Sequence, residues 1–219
     1  ILAELKALNL DERTLVVYAS DNGGKGTHGR NAEVHPDHPL GSNLPLRGFK
    51  AQTWEGGPRV PCVVRWPGRI PAGRVSDEIV SIMDIMATCV HVGGGQLPDD
   101  RKIDGLNIWP LLSGESKQSG REVFFYHNLT GSVCGVRKGK WKLHSGIRGG
   151  NAKPWQLFDL DADIAETTDL AAKHPEVVKE LHRLLQEARE DVGDRITNTH
   201  GKETRPLGVF GPGKGILKE

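Results

Sequence analysis

Apolar residues at positions 1, 2, 5 and 8 open the chain at close to helical spacing and predict a short helix. A polar, turn-like stretch follows over 9–13. Five consecutive apolar residues, Leu15, Val16, Val17, Tyr18 and Ala19, then predict a strand buried on both faces. A helix feeding such a strand is the αβ unit of a layered α/β sheet. Residues 25–49 break any regular pattern and read as a long loop. A second strand is expected over 59–66, closed by Pro67-Gly68, and a buried helix over 80–92. A short apolar turn over 106–112 ends at Ser113-Gly114.

Around 113–121 the composition shifts to Ser, Gly, Lys and Gln, and the pattern changes to hairpins. Strands are expected over 123–126, 134–137, 141–144 and 156–160, the middle pair joined by a Lys138-Gly139-Lys140 turn. His174-Pro175 opens a helix whose apolar stripe is Val177, Val178, Leu181, Leu184, Leu185, Ala188 and Val192, ended by Gly193. The expected organisation is therefore an α/β part over 1–115 and a small α+β subdomain with a polar tail over 121–219.

Composition narrows the function classes. The 219 residues carry 29 basic and 28 acidic side chains, so charge gives no case for a nucleic-acid partner. No stretch approaches the ~20 apolar residues of a membrane span. Three cysteines are too few and too scattered for a disulfide framework; Cys62, Cys89 and Cys134 lie among apolar neighbours and are expected to be small core residues. The chain begins at Ile1, inside an amphipathic pattern, and reads as a fragment of a longer protein, so a leader cannot be judged from it.

Candidate chemistry gathers behind the first strand. Ser20-Asp21-Asn22-Gly23-Gly24 puts polar residues at a strand's carboxyl end, where open α/β sheets bind ligands. Asp21 and Asn22 offer two hard oxygen donors suited to Ca²⁺ or Mg²⁺, although Asp-Asn-Gly after a strand is equally the signature of a turn. Lys50 lies in the glycine-rich run Leu46-Arg47-Gly48-Phe49-Lys50 and can set a point charge against an anion, or can be a solvated loop lysine. His28, just beyond the Asp-Asn pair, is a candidate for lining a substrate pocket.

Taken in order, these motifs resemble the type I sulfatase family of the alkaline-phosphatase-like superfamily, in particular arylsulfatase and N-acetylgalactosamine-6-sulfatase types. The resemblance runs through Ser20-Asp21-Asn22-Gly23-Gly24, Pro45-Leu46-Arg47-Gly48-Phe49-Lys50 and Trp54-Glu55-Gly56-Gly57-Pro58-Arg59-Val60-Pro61. It continues through Trp66-Pro67-Gly68-Arg69-Ile70, Asp84 with Thr88, Asp104-Gly105 and Leu111-Leu112-Ser113-Gly114. At Ala87 the family's usual proline is replaced. The hairpin over 136–143 and the segment over 157–171 complete it, so that it covers Thr14 to about Gly193.

The resemblance implies an alkaline-phosphatase-like α/β fold, truncated at its N-terminus, with a small C-terminal antiparallel sheet and one packed helix. It implies that Asp21 and Asn22 bind one divalent cation, usually Ca²⁺, and that Lys50, five residues before Glu55, contacts the sulfate. Trp54, Glu55 and Arg59 are expected to hold the loop rather than do chemistry. It further implies a formylglycine nucleophile made from a Cys/Ser-x-Pro-x-Arg motif. No Cys or Ser among the 219 residues carries that motif, so the chain alone is expected to be inactive.

The substrate implied is a sulfated small molecule or glycan, and family analogy points to a periplasmic or secreted parent. A phosphatase or phosphonate monoester hydrolase of the same superfamily, or a non-catalytic glycan-binding remnant, are the alternatives. Lys138, Lys140, Lys142 and His144 are expected on a solvated hairpin face. Asp159, Asp161 and Asp163 do not continue as a Ca²⁺ loop, because Ile164 stands where its glycine belongs. With its first strand short of cover, the chain alone is expected to aggregate or remain partly molten.

Overall fold

The computed structural model describes residues 1–25, 41–145 and 155–204. It begins with helix α1 (Leu2–Ala7) and a single 3₁₀ turn, then β1 (Val16–Ala19) and β2 (Cys62–Arg65). Helices α2 (Asp84–Val92) and α3 (Trp109–Ser113) follow. Four strands, β3 (Val123–His127), β4 (Val133–Lys138), β5 (Trp141–His144) and β6 (Gln156–Asp159), lead to the long helix α4 (Pro175–Val192).

β1 and β2 form an antiparallel ribbon, Val16 opposite Arg65 and Ala19 opposite Cys62. A bidentate pair from Arg65 to Asp11, at 2.6 and 2.8 Å, and a bond from Trp66 Nε1 to the Glu12 carbonyl lash the ribbon to the preceding turn. The strand expected to be buried on both faces is not: Tyr18 is 73% exposed and Val63 60%. Among the described residues no third strand pairs with the ribbon, so its edges carry no strand partner there. The helix expected to be buried over 80–92 is likewise only partly covered. α2 buries Asp84, Ala87 and Thr88 but leaves Met86 exposed, as are Ile82 and Met83 just before it. Cys62 and Cys89 are exposed as well; only Cys134 is the core residue expected of all three.

Asp84 is a structural hub. Its carboxylate accepts the Ser81 and Leu106 amides and pairs with Arg121, while Thr88 bonds the Asp84 carbonyl and accepts the Ile108 amide. These bonds tie α2 to the approach to α3 and to the start of the second sheet.

The second sheet is an antiparallel meander in the order β3-β4-β5-β6. Pleating divides its side chains between two faces. Val136, Leu143 and Leu157 on one face pack, with Val133, against Leu181 and Leu185 of α4. Pro175 opens that helix and Gly193, at φ 83°, ends it, as the sequence predicts. The opposite face carries Tyr126, Arg137, Lys142, His144 and Phe158, and this face receives the segment that carries the candidate site.

Candidate active site

The turn after β1 and the loop over 43–59 are joined chiefly through main chain. Gly23 N donates to the Gly57 carbonyl at 2.8 Å, and Lys50 N donates to the Gly24 carbonyl at 3.1 Å. Asn43 bridges the two: its Oδ1 accepts from Gly24 N at 2.7 Å, and its Nδ2 donates to the Gly24 and Gly48 carbonyls, each at 3.0 Å. The approach is close enough to require glycine. A Cβ on Gly23 would lie 1.7 Å from the Gly56 oxygen, and one on Gly57 would lie 1.9 Å from the Gln52 oxygen. Gly23 is thus required by the contact between the two motifs, and Gly57 by a close turn within its own loop.

This contact brings the main chain of Lys50 to Gly24, two residues beyond Asn22. The side chains of Asp21 and Lys50 are exposed, and Asn22 is half-buried. Ser20 Oγ donates to the Asn22 carbonyl at 2.8 Å and steadies the turn. Asn22 Nδ2 donates to the Gly23 carbonyl at 3.0 Å, which commits the nitrogen of the amide and leaves its oxygen as the acceptor end. One carboxylate and one amide oxygen on adjacent residues are the donor types of a hard divalent cation, and they fit part of such a ligand set. Among the described residues no group of three or more His, Cys, Asp or Glu side chains could hold a metal. His28 lies outside the described residues.

Beneath the loop is an ionic network that the sequence reading did not find. Lys142 and Glu166 are fully buried and Glu55 is 1% exposed. Lys142 Nζ lies 2.9 Å from Glu55 Oε1, 2.7 Å from Glu166 Oε1 and 2.9 Å from the Thr53 carbonyl. Tyr126 donates to Glu55 Oε1 at 2.7 Å, and Arg59 and Arg137 approach Glu55 Oε2 at 3.5 and 3.8 Å. Glu166 Oε2 accepts the Glu55 amide at 2.7 Å. Lys142 and His144 are therefore not on a solvated face. Their alternation with Trp141 and Leu143 is that of a half-polar strand, but the polar half is covered by a loop that brings carboxylates to match. Only Lys138 and Lys140 lie at the surface, paired with Glu180 and Asp159.

Burial sets the protonation states here. It pushes the Glu55 carboxyl up, but Lys142, the Tyr126 hydroxyl and Arg137 together hold it below the usual range. Glu166, with burial only partly offset by Lys142, is raised. His144 is driven down to about 3 by burial and by the nearby cations Lys142 and Arg47. Its Nε2 hydrogen-bonds Thr53 Oγ1 at 2.6 Å and its ring lies 4.1 Å from that of Trp54, so it is a neutral packing group. Trp54, Glu55 and Arg59 belong to this network and fix the loop.

The comparisons with known proteins agree in direction. The family model for N-sulphoglucosamine sulphohydrolase, C-terminal, matches residues 49–191, and the sulfatase model matches residues 1–95. Steryl-sulfatase of Mus musculus is 42% identical over 75% of this chain and 24% of its own length. N-acetylgalactosamine-6-sulfatase of Canis lupus familiaris is 40% identical over 66% of this chain and 26% of its own. The chain thus spans about a quarter of the curated relatives it matches. Among solved structures, Ps i-CgsB in complex with k-i-k-neocarrahexaose superposes with a TM-score of 0.72 at 27% identity, covering 92% of this chain and 42% of that one. The PsFucS1 sulfatase from Pseudoalteromonas sp. gives 0.73 at 25%, covering 90% and 41%. The phosphonate monoester hydrolase of Agrobacterium radiobacter, at 0.56 and 23%, shares the fold alone. With family models matched over 49–191 and over 1–95, and with these sulfatases among its relatives, the chain belongs to the sulfatase family.

Proposed function

We propose that the protein to which these residues belong hydrolyses sulfate monoesters of small molecules or glycans, with Lys50 contacting the sulfate and Asp21 and Asn22 holding one divalent cation, Ca²⁺. The observation that supports this reading is the main-chain contact by which Gly23 meets the Gly56-Gly57 turn and Lys50 N meets the Gly24 carbonyl, just beyond Asn22. Cleavage of a sulfate ester builds negative charge on the sulfuryl oxygens and on the leaving oxygen. A lysine whose main chain is held at that turn brings a cation to meet the charge. A bound cation would supply Lewis-acid stabilisation of the same charge.

The formylglycine nucleophile implied by the resemblance has no Cys/Ser-x-Pro-x-Arg precursor among the 219 residues, so we assign these residues charge stabilisation and not attack. Residues 1–115 would contribute to the catalytic α/β unit and 121–219 would form the second subdomain that supports it. Among the described residues no helix is long and apolar enough to cross a membrane. A periplasmic or secreted parent is the placement this reading favours.

The test is hydrolysis of an aryl sulfate by the longest polypeptide encoded in frame with these residues. Lys50→Ala should lower kcat/KM roughly 10²- to 10³-fold, the usual effect of removing one donor to a developing anion. Asp21→Ala should abolish any response of activity to added Ca²⁺. An unchanged rate in Lys50→Ala, or a preference for phosphonate monoesters over sulfates, would overturn the assignment.

A further inference from the structure

We propose that Lys142 and Glu166, which no substrate can reach, are positioning residues that set the place of Lys50 at the site surface; this rests on the role given to Lys50 above. The geometry is a clamp on both ends of one turn. At its start, Arg47 Nη1 donates to the Glu166 main-chain carbonyl at 2.8 Å, and the Arg47 guanidinium stacks 3.6 Å above the Trp54 ring. At its end, the Glu55 amide donates to the Glu166 side chain at 2.7 Å. Lys50 lies between these two anchors. One residue of the second subdomain thus grips residues 47 and 55 together and fixes the span from which Lys50 projects.

Lys142 locks that grip to the sheet. Its ammonium donates to Glu55 Oε1 and to the Thr53 carbonyl and forms an ion pair with Glu166 Oε1. A buried charge so paired is costly to disturb, because loss of either partner leaves the other without compensation. One backbone outlier lies in this span and another at the residue that grips it. Ala51, next to Lys50, has φ 72°, and Glu166 has φ 53°. Residues other than glycine hold such conformations where their surroundings over-determine them. The position of Lys50 is therefore imposed by the clamp and not by the local preference of its turn.

A double-mutant cycle tests this. On the same in-frame polypeptide, Glu166→Gln keeps an acceptor for the Glu55 amide but breaks the ion pair with Lys142. It should lower kcat/KM for an aryl sulfate roughly 10- to 100-fold at temperatures where circular dichroism shows the fold intact. In a Lys50→Ala background the same change should have no further effect, because the residue it positions is gone. Leu185→Ala, which weakens the opposite face of the sheet, should leave kcat/KM unchanged below its melting temperature. Lys142→Met is expected to behave as Glu166→Gln does.

Equal fold-losses from Glu166→Gln with and without Lys50 would overturn the clamp, whereas an inert Lys50→Ala would overturn the reading of Lys50 itself. Amide hydrogen exchange gives a second readout that needs no turnover. In Glu166→Gln, protection should fall at Gly23, Lys50, Gly56 and Gly57 and persist at Val136 and Leu143. Uniform loss, or none, would refute the proposal.

Discussion

At the residue scale, His144 shows how burial decides what a titratable group can do. Its ring lies against Trp54 and near Lys142 and Arg47, and it resists protonation down to about 3, against an ordinary value of 6.5. The unfolded chain binds that proton below 6.5 and the folded chain does not. Acidification therefore removes stability progressively from pH 6.5 toward 3, by up to about 1.4 kcal/mol per pH unit. The two buried carboxylates act in opposite senses. Glu55, held below its ordinary range, contributes stability that is lost as pH falls through its folded value. Glu166, held above, costs stability once ionised and relieves that cost on protonation. His144→Gln removes the histidine contribution alone. Urea melts of this variant and the parent chain between pH 7 and 5.5 should show a flatter pH dependence in the variant. Parallel curves would mean that His144 is hydrated in solution. Gly23→Ala makes a second point at this scale. Its methyl would overlap the Gly56 oxygen, so it should cost roughly 1–3 kcal/mol and deprotect the Gly23 amide in hydrogen exchange.

At the scale of elements, much of the second sheet and its packed helix was legible. β3 to β6 and α4 fall where alternation, the Lys138-Gly139-Lys140 turn, Pro175 and Gly193 place them, because hairpins and capped amphipathic helices are encoded locally. The Asp21-Asn22 turn and the Lys50 loop were legible as motifs, but their contact was not. It rests on main-chain bonds bridged by Asn43, a single residue in an irregular stretch, and no spacing marks either. The ionic network was hidden for a different reason. Local pattern reports that Lys142 and His144 share a polar face; it does not report that a segment some 90 residues earlier covers that face. Glu166 lies in the resembling segment over 157–171, but nothing local marks its role, since it bonds Arg47 and the Glu55 amide across more than 100 residues and pairs with Lys142 on another strand. The apolar side of the same sheet makes the simplest test of the element scale. Leu185 is fully buried against Val136, Leu143 and Leu157. Leu185→Ala should cost about 2–5 kcal/mol in urea melts, with an unchanged m-value.

At the scale of the whole molecule, cover is unequal. The second sheet is sealed on one face by α4 and on the other by the 47–59 loop, and the buried charges between them are matched. The β1–β2 ribbon and α2 instead present Tyr18, Val63, Ile82, Met83 and Met86 to solvent, together with sheet edges that the described residues leave open. These 219 residues on their own should therefore behave as two regions of different stability. Amides of β4, β5 and the inner face of α4 should exchange at or near the global rate, while those of β1, β2 and α2 should exchange by local opening. The exposed apolar faces should bind a hydrophobic dye and drive self-association that rises with concentration in light scattering. A monomer with no dye binding, whose β1 amides are as protected as those of β4, would contradict this. It would require the ribbon to be covered by residues outside those described, and the apolar surface assigned here to solvent would then belong to the core.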